Sequence, residues 1–298
     1  MTDQHTDDRR VPAGVAVRDT ELGPIEVHDS GGDGSPVLFV HGTPGGWDQA
    51  ELMGRFLVDA GHRVVAPSRP GYLATPLTAE RSTPAQQAAL HAALMTHLGI
   101  DRFAVACWSG GGPSSYQLAI DHPERVTALA AFAAVSMPYT FEHPHQEESL
   151  FGRPGSWLLR QLARHAPHTT VKALVTEEGD LDKADAKALV AEIWEDESRR
   201  QWVLDWSATV SGARQHGFAN DRDEFPTIDL DLAAVRAPVL LVHADTDSDV
   251  PYAHTEHAAS QLSDVEVVTI TGGTHISAWT GPDEVDAQRR VVAHLSTD

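Results

Sequence analysis

The sequence lacks features on which several classes of protein depend. Its single cysteine, Cys107, excludes internal disulfides and indicates a reducing compartment. Only three of its 22 basic residues are lysines, and a formal net charge of -21 argues against nucleic acids and anionic membranes as partners. No apolar run approaches the length of a membrane span, and the polar segment 1–10 has no signal-peptide core. We therefore expect a cytoplasmic protein that does not associate with membranes.

A chain of 298 residues, 41% of them hydrophobic, is long enough for one large domain or for a domain with a substantial insertion. Buried-strand patterns alternate with helical periodicity, which predicts parallel βαβ units and a doubly wound sheet. The predicted strands are 15–17, 25–28, 36–40, 63–66, 102–106, 127–135, 238–242 and 265–270. The predicted helices between them are 47–60, 84–98, 113–120, 252–262 and 282–294.

This alternation stops between residues 138 and 229, where no buried-strand pattern occurs. Helical stretches are predicted there, among them 156–165, 184–194 and 199–210, and they are rich in tryptophan. We interpret 138–229 as a helical insertion into a core made of 1–137 and 230–298. Residues 1–13 are expected to be disordered.

The segment 104–113 runs from a strand of small residues into three glycines and then a helix. Such a junction predicts a strained backbone at its apex, Ser109, whose hydroxyl lies at the carboxyl end of a strand beside a helix N-terminus. That position favours developing negative charge and therefore suits a nucleophile. Cys107 precedes the apex by two residues on the strand, so we expect it to point into the sheet as a small apolar residue rather than to react.

A serine nucleophile needs a histidine base and a carboxylate that orients the base. Two later loops follow predicted strands and carry such groups. The first holds Asp245, Asp247 and Asp249, and the second holds His275. Because the carboxyl ends of parallel strands meet at one edge of the sheet, these loops are expected to converge near Ser109.

These motifs resemble those of α/β-hydrolases that carry a helical cap, over roughly residues 15–294. The segment around Ser109 resembles the family's nucleophile elbow, G-x-S-x-G, although Cys107 occupies the position of its first glycine. The resemblance implies an eight-stranded, mostly parallel sheet with an inserted cap. It also implies a catalytic triad of Ser109, Asp247 and His275, with Asp249 as a distant second candidate for the acid.

The same resemblance implies an oxyanion hole formed by two backbone N–H groups, those of Gly110 and of Thr43 in the His41-Gly42-Thr43 loop. Trp108 and Trp279 are candidate lining residues of an apolar substrate pocket. No metal or organic cofactor is expected. The segment that holds His143 and His145 has metal-binding residue types but no third ligand at a suitable spacing.

Four other histidines are given structural or surface roles. His41 is expected to shape its own loop by hydrogen bonding, and His243 to pack at a strand end. His254 and His257 share a helix face and are expected to be solvated.

The expected function is hydrolysis of a small, mostly apolar carboxylic ester through an acyl-enzyme, with a small molecule as the only partner. A proline-iminopeptidase-like aminopeptidase, a carbon–carbon bond hydrolase and a non-catalytic receptor or scaffold of the same fold remain open. Haloalkane dehalogenases and epoxide hydrolases use an aspartate nucleophile, which Ser109 argues against. The sequence leaves the oligomeric state open.

Overall fold

The computed structural model describes residues 13–141 and 161–296. Its strands form one eight-stranded sheet in the order β1-β2-β4-β3-β5-β6-β7-β8. The first two pairings, β1 with β2 and β2 with β4, are antiparallel, and all others are parallel. The predicted sheet is therefore confirmed. The strands are β1 Val15–Thr20, β2 Gly23–Asp29, β3 Pro36–Val40, β4 Arg63–Pro67, β5 Phe103–Trp108, β6 Val126–Phe132, β7 Val239–Ala244 and β8 Val265–Ile270.

The central strands are buried on both faces, which explains why they appear in the sequence as continuous apolar runs. Every residue of β5 and β7 is buried, whereas β8 at the sheet edge alternates in burial. Helices cover both faces of the sheet, and each layer has its own hydrophobic core. The helices are α1 Trp47–Asp59, α2 Pro84–His97, α3 Gly112–Asp121, α4 Pro167–Glu177, α5 Lys183–Glu195, α6 Glu197–Thr209, α7 Gln215–Glu224, α8 Ala253–Gln261, α9 Ser277–Thr280 and α10 Glu284–Leu295.

The start of α2 shows how local sequence fixes a helix boundary. Thr83 accepts a hydrogen bond from the backbone N–H of Gln86, and the Gln86 side chain accepts one from the backbone N–H of Thr83. This capping box, followed by Pro84 in the first turn, satisfies N–H groups that the helix itself leaves unpaired. The predicted helix 84–98 is accordingly right to within one residue.

The chain between β6 and β7 is helical in its described part, comprising residues 161–165 and α4 to α7. The predicted helices 184–194 and 199–210 match α5 and α6 to within two residues. Most of the predicted helix 156–165, the candidate metal ligands near His143 and the predicted disorder of 1–12 lie outside the described residues. The division into core and cap stays a prediction. None of the described helices is long and apolar enough to cross a bilayer.

The predicted solvation of His254 is wrong. His254 on α8 is 2% exposed, and its Nδ1 accepts a hydrogen bond from the backbone N–H of Ser136 at 3.1 Å. Ser136 Oγ in turn donates to the His254 carbonyl oxygen at 2.6 Å. Histidine spacing on a helix does not reveal such a partner, because Ser136 lies 118 residues away along the chain.

His91 on α2 makes stability depend on pH. It is fully buried, and neither ring nitrogen has a hydrogen-bond partner among the residues that the structure describes. Burial, assisted by the charge of Arg69, lowers the pKa of His91 from 6.5 to about 3, so the folded protein keeps it neutral. Below pH 6.5 the unfolded chain binds a proton here that the folded chain does not, so stability falls as the pH falls.

We expect His91→Leu to reduce the loss of stability between pH 7.5 and pH 5 by about 2 kcal/mol, the linkage contribution of one such group. Urea unfolding at both pH values measures this difference. His97→Leu, at an exposed position on the same helix, is the control and is expected to leave the loss unchanged. An equal loss in the two variants would contradict the assignment.

Candidate active site

The junction between β5 and α3 has the strained geometry that the sequence predicts. A three-residue helical turn, Ser109–Gly111, links them, and Ser109 has φ 52°, in the left-handed region. A Cβ at Gly111 would lie 2.6 Å from the carbonyl oxygen of Val40, so only glycine allows α3 to start against the end of β3. The close approach holds Ser109 in a conformation that costs free energy for a residue with a side chain.

Cys107, two residues before Ser109, packs into the hydrophobic core. It is fully buried in the core layer beneath the sheet, with Tyr116 and Leu118 of α3 in the same cluster. Burial raises the pKa of its thiol to about 12, although contact with Ser115 opposes the change. The thiol is therefore protonated and out of reach of solvent, as expected from its place on the strand.

The loops after β7 and β8 bring Asp247 and His275 into contact. His275 Nδ1 lies 2.6 Å from Asp247 Oδ2, and both side chains are fully buried. Asp247 Oδ1 accepts hydrogen bonds from the backbone N–H groups of Asp249 and Val250 at 2.9 and 3.0 Å. Burial opposes ionisation of Asp247, but the neighbouring histidines outweigh it and lower the pKa of this carboxyl to about 2. A fixed carboxylate thus orients the His275 ring.

His243 is buried near the end of its strand, as expected, and is also a second partner of the same carboxylate. Its Nε2 lies 3.0 Å from both Asp247 Oδ2 and the Val250 carbonyl oxygen. Since both neighbours are acceptors, Nε2 carries the proton, and Nδ1 accepts from the Thr255 hydroxyl at 2.7 Å. The spacing of four residues between His243 and Asp247 was visible in the sequence, but nothing there distinguished it from chance.

His275 lies at the turn that holds Ser109. Its ring centroid is 4.7 Å from that of Trp108, the residue before Ser109. Its Nε2 makes no hydrogen bond to Ser109 and lies 3.2 Å from Asp249 Oδ2, out of line for a hydrogen bond. Burial alone would lower the pKa of His275, but the charges of Asp247 and Asp249 outweigh it and raise that pKa to about 9.

The loop after β3 meets this turn. A Cβ at Gly110 would overlap Thr43 Oγ1, which shows how closely the two predicted oxyanion residues approach. His41 shapes the loop as expected. Its Nδ1 donates to the Gly42 carbonyl oxygen at 2.7 Å, and its Nε2 accepts from the backbone N–H of Arg69 at 2.8 Å.

A buried ion pair that the sequence analysis missed supports the same loop. Arg69, 1% exposed, donates two hydrogen bonds to Asp221 of α7, at 2.7 and 2.9 Å. It also donates to the Gly42 carbonyl oxygen and to Thr43 Oγ1, at 3.0 and 2.8 Å. The hydroxyls of Thr43 and Tyr72 each donate to Asp221 Oδ2 at 2.5 Å. Asp221 therefore attaches the loop that carries Thr43 to a helix of the segment between β6 and β7.

Asp221→Asn is expected to lower the free energy of unfolding by about 3–5 kcal/mol, because it leaves the Arg69 charge buried without its counter-ion. Chemical denaturation measures the effect. Asp223→Asn on the same helix is the matched control, since the Asp223 side chain is 71% exposed and is expected to contribute little. Equal stability of the two variants would show that the ion pair is not needed.

The tryptophans predicted to line a pocket pack mainly against other rings. Trp108 and Trp279 are 3% and 5% exposed, with ring centroids 6.4 Å apart. Trp279 stacks on Trp202 at 5.7 Å and donates to the Met53 carbonyl oxygen at 2.9 Å. A substrate-lining role for Trp108 and Trp279 stays a prediction.

Comparisons with known proteins identify the fold and the family of the chain. A family model described as the alpha/beta hydrolase fold matches residues 35–282. A solved α/β-hydrolase fold protein from Nakamurella multipartita is 41% identical, with a TM-score of 0.89 and coverage of 94% of this chain and 98% of that one. An uncharacterised hydrolase of Bacillus subtilis, YcgS, is 27% identical over 274 residues, which are 89% of this chain and 93% of the relative. The fold of an Exiguobacterium antarcticum esterase is also similar, at 17% identity, a TM-score of 0.67 and coverage of 94% and 99%.

Proposed function

The chain belongs to the α/β-hydrolase fold family, and on that basis we propose that it is a serine hydrolase acting on a small, mostly apolar carboxylic ester or related acyl compound. One observation carries the proposal. Ser109 stands in a left-handed turn directly after Trp108, and the ring of Trp108 packs on His275, whose Nδ1 lies 2.6 Å from Asp247. The three side chains that a serine hydrolase would use as nucleophile, base and orienting acid thus come from one small region, which supports the proposal.

In the proposed mechanism Ser109 Oγ attacks the substrate carbonyl carbon while its proton passes to His275 Nε2. Asp247 holds the ring in the required tautomer and stabilises the imidazolium. The oxyanion of the tetrahedral intermediate accepts hydrogen bonds from the backbone N–H groups of Gly110 and Thr43. As the intermediate collapses, His275 protonates the leaving group. Water then attacks the acyl-enzyme by the same route.

The mechanism requires a hydrogen bond between Ser109 Oγ and His275 Nε2, which these side chains form only by changing their present arrangement. Catalytic hydrogen bonds of this kind are commonly long or misaligned without substrate and tighten when substrate binds. The bonds that Asp247 makes to its own loop remain in place during such a movement, because they involve the other carboxylate oxygen.

The decisive experiment combines labelling by a fluorophosphonate probe with a substrate panel. The panel contains p-nitrophenyl esters of rising acyl length, prolyl-arylamides and a 1,3-diketone, whose cleavage breaks a carbon–carbon bond. Labelling together with ester turnover supports the proposal. Preference for the arylamide or the diketone supports one of the alternative hydrolases, and a folded protein that is neither labelled nor active supports a receptor or scaffold.

A further inference from the structure

Three side chains meet at the face of His275 that is turned away from Asp247. One ligand atom from each of Glu178, Asp249 and His275 lies within 4.8 Å of the other two. His275 is 3% exposed, and within the described part of the chain neither its Nε2 nor the buried Oε2 of Glu178 has a hydrogen-bond partner. Although Asp249 Oδ2 lies 3.2 Å from Nε2, the two atoms are not aligned for a hydrogen bond. Their geometry suits atoms arranged around a common centre.

The backbone holds Glu178 in this position. Its carbonyl oxygen accepts a hydrogen bond from the backbone N–H of His275 at 2.8 Å, and the N–H of Asp180 donates to the Thr246 carbonyl oxygen at 2.8 Å. An isolated antiparallel bridge also pairs Gly179 with Asp247. The turn after α4 is therefore fastened to the loops that follow β7 and β8, so the convergence does not depend on a mobile side chain alone.

The charges at this position favour a cation. Burial and the neighbouring carboxylate of Asp249 raise the pKa of Glu178, and a divalent cation between the two carboxylates takes the place of the retained proton. The only positive charge among the three groups is that of the His275 ring when it is protonated. The Asp249 side chain, which is 42% exposed, gives an ion a path from solvent.

The spacing of two of the three ligand atoms is closer to that expected for a metal ion than to that expected for an organic ammonium group. Two acceptors bound by one ammonium lie about 4.6 Å apart, since each is about 2.8 Å from the nitrogen. Two ligands of a tetrahedral zinc-type ion lie about 3.4 Å apart, because each bond is about 2.1 Å. The 3.2 Å between Asp249 Oδ2 and His275 Nε2 is close to the value for the metal, and the Glu178 ligand atom lies within 4.8 Å of both.

We propose that Glu178, Asp249 and His275 form a binding site for a divalent zinc-type metal ion. One imidazole and two carboxylates are ligand types that suit such an ion. Asp247 on the other ring nitrogen supplies the outer carboxylate that commonly orients a metal-bound histidine. If the proposed hydrolase activity is right, bound metal inhibits it, because the Nε2 lone pair that must take the Ser109 proton is then coordinated.

The test is equilibrium binding of Zn²⁺ to chelator-treated, full-length protein, measured by isothermal titration calorimetry. Wild type is expected to bind one zinc ion. The affinity of Glu178→Gln and that of Asp249→Asn for this ion are each expected to be at least tenfold lower. Glu177→Gln is the matched control, because the Glu177 carboxylate is exposed and directly precedes Glu178 in the chain. This variant is expected to bind zinc like wild type. Cooperative thermal unfolding of each variant verifies that it is folded.

Zinc binding that is equal in wild type and Glu178→Gln, or absent from both, overturns the site. Saturable binding of methylammonium in place of Zn²⁺, with the same dependence on Glu178, also overturns it. Fluorophosphonate labelling then separates the two proposals. Glu178-dependent zinc binding without labelling upholds the metal site and rejects the hydrolase, whereas labelling that Zn²⁺ suppresses and EDTA restores upholds both.

Discussion

Ser109→Ala is expected to abolish fluorophosphonate labelling and to lower kcat for the best ester by about 10⁴-fold or more, as removal of the nucleophile does in serine hydrolases. The substitution removes only an oxygen atom from a side chain that is 3% exposed, so it leaves the packing of the turn in place. Alanine adopts the positive φ of Ser109 at a conformational free-energy cost similar to that of serine, so the variant is expected to fold. Probe labelling followed by mass spectrometry measures the modification directly.

Ser114→Ala is the matched control for this result. Ser114 lies on α3, is 2% exposed, and donates only a long hydrogen bond of 3.4 Å to the Gly111 carbonyl oxygen. We expect this variant to be labelled at the wild-type rate. Labelling that persists in Ser109→Ala, or that disappears in Ser114→Ala alone, would remove Ser109 from the mechanism.

The turn at Ser109 could be predicted from sequence because its causes are local. A buried strand followed by three glycines permits few backbone paths, and the close approach of Gly111 to Val40 requires one of them. The sheet could be predicted for a similar reason, since β5 and β7 are buried on both faces and appear as unbroken apolar runs. The loops at the carboxyl ends of these strands then follow from topology.

The supports of the site could not be predicted in this way, because they join distant parts of the chain. Arg69 and Asp221 are 152 residues apart, and nothing near either residue indicates its partner. The position of Glu178 beside His275 depends on how the turn after α4 packs on two other loops. Helical periodicity shows that a segment is helical, but it does not show against which other parts of the fold the ends of that helix pack.

The choice among Asp245, Asp247 and Asp249 rested on a family pattern in the sequence, and the geometry gives it a physical basis. Only Asp247 lies on the Nδ1 side of His275. The Asp245 side chain accepts from the backbone N–H of Gly272 at 2.7 Å, and Asp249 lies on the Nε2 side. In the proposed mechanism the acid that orients the base leaves Nε2 free for the nucleophile, so the geometry favours Asp247 over both neighbours.

Asp247→Asn is expected to lower kcat by about 10⁴-fold, the effect of placing a catalytic histidine in the wrong tautomer. One oxygen of Asp247 accepts from His275 and His243, and the other accepts from two backbone N–H groups. Asparagine has a single acceptor oxygen, so its amide N–H₂ must face either the two N–H donors or the histidines. If it faces His275, it donates to Nδ1 and places the proton on Nε2, which can then no longer act as a base.

Steady-state kinetics on the best ester of the panel measures this loss, and cooperative thermal unfolding verifies that the variant is folded. Asp245→Asn removes a carboxylate of the same loop that contacts neither histidine among the described residues, and it is expected to change kcat less than tenfold. Asp249→Asn removes a negative charge from beside Nε2 and is expected to reduce kcat far less than Asp247→Asn. The bond from Asp247 to Nδ1 is intact in Asp249→Asn. A loss in that variant as large as the loss in Asp247→Asn would therefore show that His275 depends on Asp249 and not on Asp247 alone.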